Sequence, residues 1–333
     1  LFGWNFFDRR PTAIIRRVWQ RRGTNRIWAI AKRLADDRYR MFKQDPDIRT
    51  GRGRFESQGL FKMKKPPAKV VGNCRLQEEA VEGVGCIFLD PPRQSLGEKL
   101  IFLHGGAFTS GPVICHWGML SRVCEKTGIP AVMVDYGLVP ENPFPDGLND
   151  VIGVYRALRR EGSADRIYLM GDSSGGGLAL SAVLALKDGK EKLPEKLGLL
   201  SPWLDLTLSH SEIENIRQYD QLLTREDLVE AGRVYADGHD PAYYLLSPIN
   251  GDFIGIPPTL VLVGTHEIFL CDCRRFKEKA ISAGAALTYQ EWEGMFHDWM
   301  ALTPAMREAN QAVDVIVDFL NRPAGQPQAP AAS

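Results

Sequence analysis

No run of 18 or more uncharged apolar residues occurs in the 333-residue chain, so no transmembrane helix is expected. Net charge is also missing: 41 Lys and Arg balance 41 Asp and Glu, which argues against a nucleic acid or another charged polymer as a global partner. Cysteine is sparse, with 6 residues at positions 74, 86, 115, 124, 271 and 273. That usage fits ordinary core residues and excludes a disulfide framework. Cys271-x-Cys273 has no His or Cys at ligand spacing, so no metal and no other cofactor is expected. From Leu1 onward there is no signal-type apolar core either, because Arg9, Arg10, Arg16 and Arg17 interrupt it; a cytoplasmic location is the expectation.

What is present is unevenly distributed. Residues 1–69 hold 19 Lys and Arg against 6 Asp and Glu, a balance of +13 that the remainder offsets with −13. Apolar residues in this segment recur at helical spacing (Ile14, Ile15, Val18, Trp19, then Ile27, Trp28, Ile30, Ala31, Leu34), which predicts two amphipathic helices parted by Gly23-Thr24-Asn25. A Gly-, Arg- and Pro-rich stretch then reads as a loop down to Pro66-Pro67.

From Val70 the texture turns to strands, predicted over 73–79, 85–89, 99–103, 131–136, 166–170, 197–200, 259–263 and 287–291. Helical patterns fall between the later ones, with a last helix over 305–321. Such alternation implies an α/β fold with a mostly parallel sheet, and an apolar run such as Lys99–Leu103 suits a strand covered on both faces. The two early strands are expected antiparallel at its edge. Residues 204–256 break the alternation with helical stretches (211–217, 224–235) and read as a lid above the carboxyl ends of the strands. The tail 323–333, rich in Pro, Ala and Gln, is expected to be disordered.

Chemistry concentrates at three places. Gly171-Asp172-Ser173-Ser174-Gly175 sits between a strand and a helix, where flanking glycines permit a turn tight enough to expose a serine hydroxyl. Ser173 is therefore the candidate nucleophile. His104-Gly105-Gly106-Ala107-Phe108 follows an earlier strand, and its backbone N–H groups, with that of Ser174, are candidate donors to the oxyanion of an acyl-transfer intermediate. His104 is expected to shape that turn. The base should come late in the chain, and His297 follows the last strand in the loop Trp292–His297. An acid should end the preceding strand: Glu267 and Asp272 both qualify. Glu267 is preferred as the nearer, while Asp272 is expected to open the following helix, where a carboxylate favours the dipole.

These motifs resemble the hormone-sensitive-lipase-like branch of the α/β-hydrolases, which includes many microbial carboxylesterases. The resemblance rests on His104–Phe108 (an HGGG-type motif), Asp135-Tyr-Gly-Leu-Val-Pro-Glu-Asn-Pro-Phe-Pro145, Gly171–Gly176 (a GDSAGG-type motif) and Ser201-Pro-Trp-Leu-Asp-Leu206, and covers roughly residues 70–320. It implies an α/β-hydrolase fold and a triad of Ser173, Glu267 and His297. It also implies an oxyanion hole at Gly105, Gly106, Ala107 and Ser174. The domain plan it implies is an N-terminal helical cap segment over 1–72, a catalytic domain over 73–322 carrying a second cap segment over 204–256, and the tail. Three positions depart from the pattern. Ala107 replaces the third glycine, Ser174 an alanine, and Glu267-Ile268-Phe269 an Asp-Pro-Leu acid motif.

The expected activity is hydrolysis of short-acyl esters as small-molecule substrates. A lipase or special-purpose esterase for longer or bulkier esters is the alternative within the class. Some proteins of this branch are ligand receptors that have lost the histidine; His297 argues against that reading here. The basic first segment is taken as the solvated face of cap helices in preference to a lipid-docking surface, and a homodimer is expected by likeness to relatives.

Overall fold

The computed structural model describes residues 66–160 and 164–323. The cap segment expected over 1–72 and the disordered tail over 323–333 lie outside the described residues, apart from 66–72 and Pro323.

Eight strands form one sheet: β1 (Arg75–Val81), β2 (Val84–Asp90), β3 (Glu98–Leu103), β4 (Ala131–Val134), β5 (Arg166–Asp172), β6 (Lys196–Leu200), β7 (Thr259–Gly264) and β8 (Leu287–Trp292). Their order is β1-β2-β4-β3-β5-β6-β7-β8. β2 runs antiparallel to both β1 and β4, and every other pairing is parallel. All eight expected strands are present with small shifts. β1 runs on to Val81 because Glu82 and Gly83, both at positive φ, make the hairpin turn two residues later than the pattern suggested.

Among the described residues, seven helices connect and cover the sheet: α1 (Ile114–Thr127), α2 (Asp146–Arg160), α3 (Ser173–Asp188), α4 (Ile213–Ile216), α5 (Arg225–Ala236), α6 (Leu270–Ser282) and α7 (Arg307–Asn321). Alternate residues of one strand feed two cores. Ile101 and Leu103 of β3 pack with residues of α2, α3 and α6, whereas Leu100 and Phe102 pack with residues of α1 and α7. This is why β3 reads as an unbroken apolar run: neither face meets water.

The interval between β6 and β7 holds α4, α5 and a 3-10 turn, Pro248–Asn250. The helix expected over 211–217 shrinks to the single turn of α4. The interval is tied to the glycine-rich turn after β3 by aromatic contacts: Tyr235 of α5 lies flat on Phe108, with ring centroids 3.7 Å apart and an interplanar angle of 1°. The backbone N–H of Phe144 donates to the carbonyl of Tyr235 at 2.9 Å.

Candidate active site

Ser173 stands at the junction of β5 and α3 with φ +52, in the left-handed region that a serine adopts only when its surroundings impose it. The imposing contact is the close packing of Gly175 against β3: a Cβ at Gly175 would lie 2.1 Å from the carbonyl oxygen of Leu103. The elbow thus presses on the strand that leads into the glycine-rich turn. Gly106 of that turn has φ +130, and a Cβ there would lie 2.0 Å from the carbonyl oxygen of Ser110. Ala107 and Phe108 continue the left-handed path at φ +53 and +61. The turn is further held by the Tyr136 hydroxyl, which donates to the His104 carbonyl at 2.6 Å, and by the Tyr136 ring stacked on the imidazole of His104 at 4.7 Å.

Two hydrogen bonds link Ser173, His297 and Glu267. His297 Nε2 is 3.0 Å from Ser173 Oγ, and its Nδ1 is 2.8 Å from Glu267 Oε2. All three side chains are buried, with Glu267 fully so. The second oxygen of Glu267 accepts from the Ser201 hydroxyl at 2.7 Å and from the Gly264 N–H at 2.6 Å. A carboxylate with both oxygens engaged presents Oε2 to the imidazole in one orientation. Burial pulls the His297 pKa down, but the carboxylates of Asp298 and Glu267 outweigh it and leave the imidazole well above its ordinary value.

Asp272 is not part of this group. It lies in the first turn of α6, buried, and accepts from Arg275 Nη1 at 2.8 Å; burial and the neighbouring Asp205 push its carboxyl up to about 6.

The four candidate donors divide. The N–H of Gly105 lies toward the carboxylate of Asp172, the residue before Ser173, and helps keep it charged. The N–H groups of Gly106, Ala107 and Ser174 enter no hydrogen bond among the described residues. Gly106 and Ala107 follow β3, and Ser174 is in the first turn of α3, where unsatisfied N–H groups and the helix dipole favour negative charge. Asp172 is itself partnered: the Val113 N–H donates to His116 Nδ1 at 2.9 Å, leaving Nε2 to face Asp172 Oδ2 at 3.0 Å. Burial raises the Asp172 carboxyl, and His116 and His104 more than offset this, so it lies below its usual range.

The hydroxyl that distinguishes Ser174 from alanine has a partner: its Oγ accepts the N–H of Phe108 at 3.3 Å. This ties the elbow to the far end of the glycine-rich turn. Ser174→Ala removes one such bond, worth about 1 kcal/mol. The expected result is a fall in kcat of about fivefold with KM nearly unchanged, because the donors bear hardest on the transition state; steady-state kinetics on a p-nitrophenyl ester reads both.

Three further residues at the site were given no role from the sequence. Ser201, at φ +42, joins Glu267 to the N–H of Asp298, which donates to its Oγ at 3.3 Å. Asp220, from the segment between β6 and β7, accepts the Ile268 N–H at 2.8 Å and so fixes the loop that carries Glu267; burial pushes its carboxyl up to about 6. Asp298 follows His297 directly. Ser201 could have been found as part of the Ser-Pro-Trp motif; Asp220 and Asp298 had no signal of their own.

A family model described as alpha/beta hydrolase fold matches residues 100–301, more than half of the chain. The chain belongs to the alpha/beta hydrolase family. Among curated proteins it is similar to an acetyl-hydrolase of Streptomyces hygroscopicus, 34% identical over 264 residues, covering 78% of this chain and 85% of that protein. It is also similar to an esterase of Acinetobacter venetianus, 37% identical over 229 residues, covering 68% of this chain and 76% of that protein. Among solved structures it resembles an esterase from the bacterial hormone-sensitive lipase family, with TM-score 0.75 and 28% identity over 89% of this chain and 96% of that one. The family matches the one the motifs resemble, and the alpha/beta hydrolase sheet is the one described above. Cys271 and Cys273 are free and buried, and no group of metal-ligating side chains occurs among the described residues.

Proposed function

We propose that this alpha/beta hydrolase is a carboxylesterase that cleaves short-acyl esters through an acyl-enzyme formed on Ser173. The observation that carries the reading is the position of the His297 ring, within hydrogen-bond reach of Ser173 Oγ on one side and of Glu267 on the other. His297 Nε2 takes the hydroxyl proton as Ser173 Oγ attacks the ester carbonyl. The C=O electron pair moves onto oxygen, facing the N–H groups of Gly106, Ala107 and Ser174, beside that of Gly105. The intermediate collapses by breaking the bond to the alcohol, which leaves with the proton from His297. Water then attacks the acyl-enzyme, giving its proton to the same nitrogen, and Ser173 is released with the acid product. Glu267 holds the Nδ1–H tautomer throughout and stabilises the imidazolium. None of these steps calls for a cofactor.

The acyl preference rests on likeness to the acetyl-hydrolase and on the close aromatic stack of Phe108 and Tyr235 beside the elbow. Within the same reading, residues 204–256 are a cap segment. The enzyme works in the cytoplasm on small esters without stable membrane contact, and it pairs with a second copy along the edge of β8, which has no outer neighbour among the described residues. No described helix is long and apolar enough to cross a membrane. A p-nitrophenyl ester series from acetate to laurate tests the substrate class. The expected result is a maximum in kcat/KM at acetate or butyrate and a fall of at least about a hundredfold by laurate, as the longer chain loses a fitted site. A maximum at the long esters would replace this reading with that of a lipase.

A further inference from the structure

Asp298 takes no part in the triad, yet its Oδ2 is 3.0 Å from His297 Nε2, as close as Ser173 Oγ. The contact is built, not incidental. Asp298 holds φ +55, a left-handed conformation that Asp tolerates better than most residues, and its N–H is fixed to Ser201 Oγ at 3.3 Å. Ser201 in turn donates to Glu267, and Glu267 faces His297 Nδ1, so the four residues close a ring around the imidazole. Trp299, the next residue, is fully buried and anchors the loop from the other side.

The reading depends on the proton-transfer role assigned to His297 above. In the resting enzyme, Nε2 must offer its lone pair to Ser173; once it has taken the proton, the ring is positive, with the departing alcohol ahead of Nε2 and the Asp298 carboxylate 3.0 Å to its side. We propose that Asp298 is a further catalytic residue, whose carboxylate pairs with protonated His297 beside Nε2 and thereby sets the pH at which the base becomes available. An anion at hydrogen-bond distance favours the imidazolium over the neutral ring. The charges that face this pair come from every element around it. Glu267 lies in the loop after β7, Asp172 at the end of β5, Asp220 in the segment between β6 and β7, and His116 and Cys115 on α1. Asp172 is held by His116 Nε2 and Asp220 accepts three backbone N–H groups, whereas Asp298 and Glu267 touch the ring itself. Burial raises the Asp298 carboxyl against the pull of His297, so the two groups titrate as a pair and report a joint macroscopic value.

The test is the pH dependence of kcat/KM for a p-nitrophenyl ester in the wild type and in Asp298→Asn. Asparagine keeps both the volume and the left-handed backbone and removes the charge. The acid limb is expected to move down by about one pH unit, so that well below the limb activity relative to its own plateau rises about tenfold. A limb that stays in place or moves up overturns the proposal. The wild-type chain gives a second reading that needs no variant: labelled with 15N-histidine, His297 should titrate above the ordinary value of about 6.5. Titration at or below that value overturns it. Loss of turnover in Ser173→Ala with an unmoved limb in Asp298→Asn removes the role of Asp298 alone. Turnover that survives Ser173→Ala removes the triad reading and this one together.

Discussion

Ser173→Ala should lower kcat for p-nitrophenyl butyrate by a factor on the order of 10^5 to 10^6 while the protein keeps its fold. The size follows from what the hydroxyl supplies. Without Oγ there is no acyl-enzyme, and the reaction falls back on direct attack by water, aided only by substrate positioning and the N–H groups of Gly106, Ala107 and Ser174. The fold should survive because the left-handed conformation of residue 173 is imposed by the close packing of Gly175 on β3, and because the hydroxyl forms its hydrogen bond with His297 alone. Alanine meets the same backbone demand at comparable cost. Circular dichroism and thermal unfolding check the fold, and active-site titration of the wild type guards against trace contamination. Turnover within about tenfold of wild type would move the nucleophile elsewhere.

Glu267→Gln should be nearly as damaging, lowering kcat by about 10^4-fold, for a reason specific to the carboxylate's surroundings. One oxygen of Glu267 receives the Ser201 hydroxyl and the Gly264 N–H, and the other faces His297 Nδ1. In glutamine only the carbonyl oxygen can accept the first two donors, so the amide NH2 is forced toward Nδ1. That nitrogen must then be an acceptor, which puts the imidazole proton on Nε2, where it cannot receive one from Ser173. Asp272→Asn offers the contrast. Its carboxylate bonds to Arg275 within α6, and neither His297 nor Ser173 is among its partners. Its expected signature is a lowered Tm with kcat within about twofold of wild type. Measuring kcat for both variants decides the acid; a larger loss in Asp272→Asn would reverse the assignment.

Much of this was legible in the sequence because it depends on local pattern. The unbroken apolar character of Lys99–Leu103 followed from a sheet covered on both faces, and the glycines at 105, 106, 171 and 175 announced turns that no larger side chain could follow. The order serine, acid, histidine then narrowed six histidines to one. What escaped depends on contacts between distant elements. Nothing in the string Asp298-Trp299 says that the aspartate folds back on the preceding histidine; that needs the left-handed turn at 298 and the Ser201 hydroxyl from the end of β6. Asp220 was hidden in a stretch read only as a lid, and its contact with the Glu267 loop spans 48 residues.

The most direct test of the central claim is to quench the wild-type enzyme within its first turnovers on p-nitrophenyl butyrate and map the modified peptide by mass spectrometry. The expected result is one butyryl group on Ser173, absent in Ser173→Ala and far slower to form in Glu267→Gln. A butyryl group on any other side chain, or a p-nitrophenol burst with Ser173 unmodified, would contradict it.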